Sequence, residues 1–418
     1  MLHLIQQSFR MALRNLFRRR QHNVAKILCL ALGLSVSAVI IAEIYYEQTF
    51  DQCYPDYDRI CRVTEGFKMK AQEFTEGFNT SGGVAPMMKR TIPQVELATR
   101  TNPIVTDGEV ETDDKVRVRA DVYFADSCFF RMFPARILEG DADRALTEPF
   151  CCVVNRSTAE RLGGSVVGRH IQSKDMPGLK LTIVGVYEDY PHNSTFHNYD
   201  VIGSMKTQKN FCYDGQDNLV GNDRYISFVR LRKGASPDSL KPLIHRMIQT
   251  HYPVKELQQS GTWLTYKLTP ISRYYTEADN IRQMFWILSL LVIILLSVSI
   301  LNYVLIVVGN LVSRAREMAV RKCYGAGRGA VYSITFSEVC LHLVLSLMVG
   351  AALLWACHGT IEQLLSAPLS VLVFNRGAWI LLLIALMVLF VGGIVPGWLY
   401  NRMPVTLAFH GYVEARRR

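Results

Sequence analysis

The chain has 418 residues, half of them hydrophobic and 20% charged, which is too long and too apolar for a disordered polyampholyte. Its net charge of +10 invites a nucleic-acid reading, but fifteen Lys and Arg against two acids fall in three separate stretches, 1–26, 309–330 and 401–418. A split excess beside apolar runs is a topology signal and excludes a nucleic-acid patch. There is no HExxH zinc motif and no GxSxG nucleophile motif, so catalysis by this chain is not indicated.

Residues 1–22 predict a cytoplasmic amphipathic helix. Leu2, Ile5, Phe9, Leu13, Leu16 and Phe17 keep helical spacing, with Arg10, Arg14 and Arg18 off the stripe. Such a helix suits the inner leaflet, with its arginines on anionic headgroups. A span needs ~20 mostly apolar residues. The first falls at 23–46, with its apolar core at Ile27–Tyr46. No small-x-small cleavage site follows, so it reads as a retained anchor.

Residues 47–283 are too long for a loop and form an external domain. Arg59–Thr64 reads as a strand, Ala85–Thr91 as a helix and Val95–Val105 as a further strand. Tyr225–Leu231, Leu240–Tyr252 and Trp263–Leu268 repeat that strand–helix–strand order, and Ser236-Pro237-Asp238 opens the helix. Between the halves, about 111–217, lie short β runs at Val116–Arg119, Cys152–Val154 and Leu181–Tyr187. Turn signals separate them, at Glu139-Gly140-Asp141, Gly163-Gly164, Pro177-Gly178 and Pro191-His192-Asn193. The expectation is an α+β domain, built from 47–110 and 218–283, split by a mainly-β insertion.

Three more spans follow, at 284–310, 331–357 and 377–400. A cytoplasmic segment, 311–330, and a short external loop, 358–376, connect them, and 401–418 is a cytoplasmic tail. The fold class is an α-helical membrane protein with four transmembrane helices and a large α+β extracytoplasmic domain. The Lys and Arg bias places both termini inside. Within 311–330, Arg314–Tyr324 has good helix formers and a Glu317–Arg321 pair at i,i+4, and Gly325 and Gly327 can end the helix. By charge alone this segment suits either a solvated positive-inside loop or docking on a soluble partner.

Several stretches carry a family resemblance in order along the chain. Tyr57-Asp58-Arg59-Ile60-Cys61-Arg62-Val63 follows the first span. Ala125-Asp126-Ser127-Cys128-Phe129-Phe130-Arg131-Met132-Phe133 leads to Leu138-Glu139-Gly140-Asp141. Val153-Val154-Asn155, Ala159-Glu160-Arg161-Leu162-Gly163 and Val184-Gly185-Val186-Tyr187-Glu188-Asp189 come next. Arg314-Ala315-Arg316-Glu317, Arg321-Lys322 and Gly325-Ala326 follow, then Glu338, Pro396 and Asn401-Arg402-Met403-Pro404. The ordered set resembles an ABC-transporter permease of the MacB/FtsX-like family over nearly the whole chain.

That resemblance implies a Porter-like subdomain in two halves with a Sabre-like insertion, in the bacterial inner membrane with the large domain periplasmic. It implies mechanotransmission: a separate ATPase handles ATP and Mg, and the permease converts hydrolysis into movement of its external domain. The substrate would be a peptide, antibiotic or lipoprotein for export or extraction. An FtsX-like regulator of wall hydrolases, or a membrane-anchored receptor or scaffold, is the alternative. Implied partners are an ABC ATPase dimer, a second permease chain identical or paralogous, and a periplasmic adaptor or substrate-delivery protein, besides lipid. Arg314, Arg316, Glu317, Arg321, Lys322, Gly325 and Ala326 would be the ATPase-coupling residues.

Other patterns weigh less. Gly163–His170 has P-loop glycine spacing, but Arg169 and His170 stand where Lys and Ser or Thr are needed. No cofactor is therefore expected on this chain. His192 and His197 lack a third ligand at matching spacing, so a surface turn is expected and no metal. Asn302 and Glu338 are membrane-embedded polar groups; Glu338 reads as a cytoplasmic-edge group capping or pairing with a base of the 311–330 segment, or with His342 as a proton relay. Gly393 and Gly397, flanking Pro396, are a small-xxx-small helix-packing pair. Six external cysteines, Cys53, Cys61, Cys128, Cys151, Cys152 and Cys212, permit one disulfide or isolated buried thiols.

Overall fold

The computed structural model describes residues 23–69, 75–211, 215–309 and 327–365, with isolated positions between 320 and 398. The chain divides into two compact units, Thr49–Ile281 and the remainder.

In the helical unit, α1 spans Asn23–Gln48. The first unit's strands begin with β1 (Ile60–Met69) and β2 (Thr75–Phe78), then helix α2 (Val84–Thr91), β3 (Val95–Val105), β4 (Glu109–Thr112), β5 (Arg117–Arg119) and β6 (Val122–Ala125). Helix α3 (Phe129–Met132), β7 (Ile137–Gly140), α4 (Ala142–Thr147), β8 (Cys151–Asn155), α5 (Arg156–Arg161), β9 (His170–Ser173), β10 (Lys180–Tyr187), β11 (Val201–Ser204) and α6 (Lys206–Phe211) follow. The chain closes the domain with β12 (Ile226–Leu231), a 3-10 turn (Pro237–Leu240), α7 (Lys241–His251), α8 (Val254–Gln259), β13 (Thr262–Pro270) and α9 (Ile271–Tyr274). Long helices α10 (Asp279–Gly309) and α11 (Arg328–Ala356) and the shorter α12 (His358–Leu365) complete the described elements.

The strands join one sheet in the order β13-β1-β12-β3-β6-β11-β8-β10-β9-β4-β5, with β2 on β1 and β7 on β10. Its first four strands pair antiparallel and come from both ends of the domain sequence. The units β1–α2–β3 and β12–α7–β13 thus interleave as a split βαβ arrangement. Helix side chains Met88, Ile244 and Ile248 share one core with Cys61, Val63, Val229 and Leu231. Ile60 and Phe228 point to the opposite face, as strand alternation requires, into a core rich in aromatics. That second core contains Phe129, Phe133, Tyr187, Tyr190, Phe196 and Tyr199. Phe133 and Phe196 lie 4.4 Å apart by ring centroid.

The insertion enters through the β3–β6 pair and continues the same sheet. Here β6 and β11, and β8 and β10, pair parallel. All five residues of β8 are buried, and its Cys-Cys-Val-Val run lacks polar alternation because both faces are covered. Asp141 and Asn155 cap α4 and α5 by accepting from Arg144 N and Thr158 N. With short helices α3, α4 and α5 between its strands and α6 after the last of them, the insertion is more mixed than the expected mainly-β piece. The helices escape a periodicity reading because each is too short to repeat its apolar stripe.

Three described helices are long and apolar enough to cross a membrane: Asn23–Gln48, Asp279–Ile306 and Thr335–Ala356. The expected fourth span, 377–400, lies outside the described residues except at isolated helical positions such as Ile384. Ser346 Oγ donates to Ile27 O at 3.1 Å, and Gly350 abuts Ser35 and Ala31, so α1 and α11 run parallel. Gly33 abuts Ser299 while Leu30 shares a core with Tyr303, so α10 runs antiparallel to α1. Small residues let these backbones approach where lipid supplies no hydrophobic drive. A Cβ on Gly33 would overlap the Ser299 hydroxyl. Gly33→Ala is therefore expected to destabilise the bundle by about 1–3 kcal/mol, read as earlier thermal unfolding in detergent. Adding Ser299→Gly should restore most of the loss.

Candidate functional site

The external domain is held at the two segments where its chain adjoins α1 and α10. Phe50, just after α1, stacks on Tyr275, just before α10, with centroids 3.8 Å apart and planes 9° from parallel. Asp51 follows with φ +59°, a left-handed conformation that short polar side chains tolerate best. Its N–H donates to Asn193 O at 2.8 Å. Its carboxylate accepts from Thr195 N at 2.7 Å and Thr195 Oγ1 at 2.6 Å. Asn193 Nδ2 donates back to Thr49 Oγ1 at 3.3 Å. Tyr54 inserts into the aromatic core and its hydroxyl meets Ser194 Oγ. On the exit side, the Arg62 guanidinium lies 4.2 Å from the Tyr274 ring centroid.

This collar is buried chemistry. Asp51 is 1% exposed. Burial pushes its carboxyl up to about 6, opposed by the two Thr195 hydrogen bonds and by Arg62. An open cavity of about 620 Å³ lies against the exit side, lined in part by Thr64, Lys267, Tyr274, Tyr275 and Glu277. The sequence singled out none of Phe50, Asp51 or Thr195. The turn signal Pro191-His192-Asn193 marked the loop that receives Asp51, but nothing in it told of a partner some 140 residues earlier.

Of the expected coupling residues, Arg314, Arg316, Glu317, Arg321, Lys322, Gly325 and Ala326 lie outside the described residues. Beside them, Tyr324 N donates to Val320 O at 3.1 Å, one helical turn. Tyr324 is 89% exposed and Val320 is also exposed, so two apolar side chains stand in this charged stretch.

Glu338 and His342 are both buried in the bundle, and Tyr303 Oη lies 3.3 Å from His342 Nδ1, joining α10 to α11. Asn302, adjacent to buried Tyr303, is exposed in this chain. Gly393 and Gly397 lie outside the described residues. His192 and His197 sit with ring centroids 6.1 Å apart, and His197 Nδ1 is 2.7 Å from Ser194 O. No group of three or more His, Cys, Asp or Glu among the described residues is arranged to hold a metal. Gly163, Gly164 and Gly168 adopt positive φ and lead into strand β9, not into the helix N-terminus that cradles phosphate. The described external cysteines Cys53, Cys61, Cys128, Cys151 and Cys152 are free thiols, and Cys212 lies outside the described residues.

An α+β domain thus lies in the chain between helices long and apolar enough to cross a membrane. The MacB-like periplasmic core domain model matches residues 26–246, and the FtsX-like permease C-terminal model matches 289–405. The chain belongs to the MacB/FtsX-like family of ABC-transporter permeases. The family is a generally non-catalytic permease component that works with an ABC ATPase. No curated protein matches the chain. Among solved structures, a domain of a putative permease from Porphyromonas gingivalis is 33% identical over 52% of this chain and 91% of its own, with TM-score 0.48. The periplasmic region of MacB from Actinobacillus actinomycetemcomitans is 12% identical over 53% and 91%, with TM-score 0.33. The extracellular domain of the noncanonic ABC-type transporter YknZ from Gram-positive bacteria is 12% identical over 49% and 99%, with TM-score 0.33.

Proposed function

We propose that this permease is a mechanotransmission subunit. A separate ATPase dimer docks on 311–330, and its ATP-driven motion passes through the spans to the external domain. Four spans, cytoplasmic termini and a periplasmic domain in the inner membrane complete the reading. Within that domain the split βαβ unit takes the Porter-like role and the insertion the Sabre-like role. A second permease chain faces this one, and a peptide, antibiotic or lipoprotein is exported or extracted with a periplasmic adaptor or delivery protein. ATP and Mg stay with the ATPase.

The observation that most supports the reading is the collar. The segments adjoining α1 and α10 stack on each other through Phe50 and Tyr275, and Asp51 locks the first of them into the domain. A pull or twist on either helix therefore enters the sheet and aromatic core directly. A floppy tether, adequate for a receptor, would need no such joint. The exposed Val320 and Tyr324 add an apolar anchor to the basic segment, as a docking surface requires.

A photocrosslinker replacing Arg316 is expected to capture an ATP-binding subunit in cells. Glu317→Arg with Arg321→Glu is expected to leave insertion intact and uncouple ATP hydrolysis from function. If the crosslinker captures no ATP-binding protein from correctly inserted chain, the receptor or scaffold reading takes its place.

A further inference from the structure

Helix α11 ends at Ala356, and α12 starts two residues later at His358. The turn between them is Cys357, whose N–H donates to Leu353 O and to Trp355 O. At 1.5 Å per residue the eight residues of α12 rise about 12 Å, far short of the ~30 Å that a span needs. His358, Gly359, Thr360 and Gln363 are exposed, and Ile361 and Glu362 are half-buried. A solvated helix this short is marginal even when built of the best helix formers, and Gly359 and Thr360 are poor ones. Its support must come from an apolar surface that the exposed positions do not find in this chain.

Trp355 precedes the turn and is 75% exposed, with its ring stacked on His358 at 6.5 Å between centroids and 15° between planes. His358 Nδ1 lies 2.7 Å from Trp355 O, which fastens the start of α12 to the end of α11. Because α10 runs antiparallel to α1 and α11 parallel to it, the start of α10 and the end of α11 lie on one side of the bundle. Trp286, 65% exposed, stands on that side in the early part of α10. Exposed tryptophans at corresponding ends of two spans mark the boundary between hydrocarbon and water. Helix α12 begins at that level. Its sequence, His-Gly-Thr-Ile-Glu-Gln-Leu-Leu, keeps an i, i+3, i+4 apolar spacing from Ile361.

We propose that α12 docks flat on the lipid surface at the end of α11, with Ile361 toward the acyl chains and Gln363 toward water. Lipid is the occupant because the chain reaches this level directly from an apolar helix long enough to span, and the exposed Trp355 ring is already there. Residues 358–365 contain Glu362 and no Lys or Arg, so burial of apolar groups holds the helix, not attraction to anionic headgroups. A helix held in this way resists sliding of α11 along the membrane normal. The inference rests on α11 being a span, as the proposed function has it, and not on the docking of an ATPase.

The test uses the full chain in nanodiscs whose lipids are brominated either high or low on the acyl chains. A fluorescent amino acid replaces Met348, Ile361 or Gln363 in turn. Shallow bromines are expected to quench the probe at 361 about threefold more than the probe at 363, because only the apolar face enters the lipid. The ratio should be the same with neutral and with anionic headgroups. Deep bromines should quench the probe at 348 most, since Met348 is exposed within α11. Equal quenching at 361 and 363, quenching at neither, or a ratio that collapses in neutral lipid overturns the proposal. If the probe at 348 also escapes the deep bromines, α11 is not a span and the proposed function falls with it; if 348 is quenched and 361 is not, only the surface helix falls.

Discussion

Replacing Arg100 with methionine is expected to destabilise the external domain by about 3–5 kcal/mol, the cost of breaking a buried charge pair from one side. The Arg100 side chain is 8% exposed. Its Nη2 and Nε donate to Asp126 at 2.9 and 3.0 Å, and its backbone N–H donates to the same carboxylate at 2.9 Å. Its Nη1 donates to Gly82 O and to Gln216 O. One guanidinium therefore ties β3 to the turn after β6, to the residue pair before α2 and to the loop before β12. Removal strands a carboxylate and two carbonyls in one place. Arg100→Lys should fall between, because an ammonium keeps the charge but cannot reproduce the bidentate fork. Denaturant unfolding of the full chain in detergent, followed by exchange at β3 and β6, checks both. A loss below about 1 kcal/mol for the methionine variant would contradict the burial argument.

Glu65→Gln is expected to stabilise the same domain at neutral and higher pH. Glu65 is 4% exposed, and its Oε2 has no hydrogen-bond partner among the described residues. Burial pushes its carboxyl up to about 8 and Asp223 pushes the same way, against hydrogen bonds from Tyr266 and the Ser81 backbone. The folded state thus keeps a proton that the unfolded state loses above the ordinary value of 4.5. The stability Glu65 contributes is whole below 4.5 and is lost as pH rises to about 8. At 1.36 kcal/mol per unit the whole loss is at most about 4–5 kcal/mol. Glutamine carries no such proton, so the difference between variant and wild type should grow across that window and then level off. Unfolding midpoints measured from pH 4 to 9 decide it; parallel curves would mean that Glu65 is already solvated.

Much of the frame was legible in the sequence. Val95–Val105 is a strand over the expected residues, and Val84–Thr91 a helix starting one residue early. The repeated strand–helix–strand order of the sequence has its counterpart in β1–α2–β3 and β12–α7–β13. Strand β1 runs on to Met69, past the expected end at Thr64, because β13 pairs with it over its whole later length. Pairing with a distant strand leaves no trace in local alternation. The same limit hid the collar. Asp51 and Thr195 look like ordinary loop residues until the fold puts them 2.6 Å apart.

Charge and hydropathy by themselves marked stretches long and apolar enough to cross lipid, and three of them are helices of that length in the structure, because the cost of burying charge or exposing apolar surface is paid residue by residue. Side-chain identity alone argued against reading the glycine run at 163–168 as a phosphate loop, since Arg169 and His170 stand where Lys and Ser or Thr are needed. Only the tertiary structure decided how the halves interleave, which strand is left at the edge, and which side chains join the segments beside α1 and α10. Those outcomes depend on pairings between residues far apart in sequence, and such pairings are selected by packing and hydrogen-bond satisfaction of the whole domain, not by any local preference.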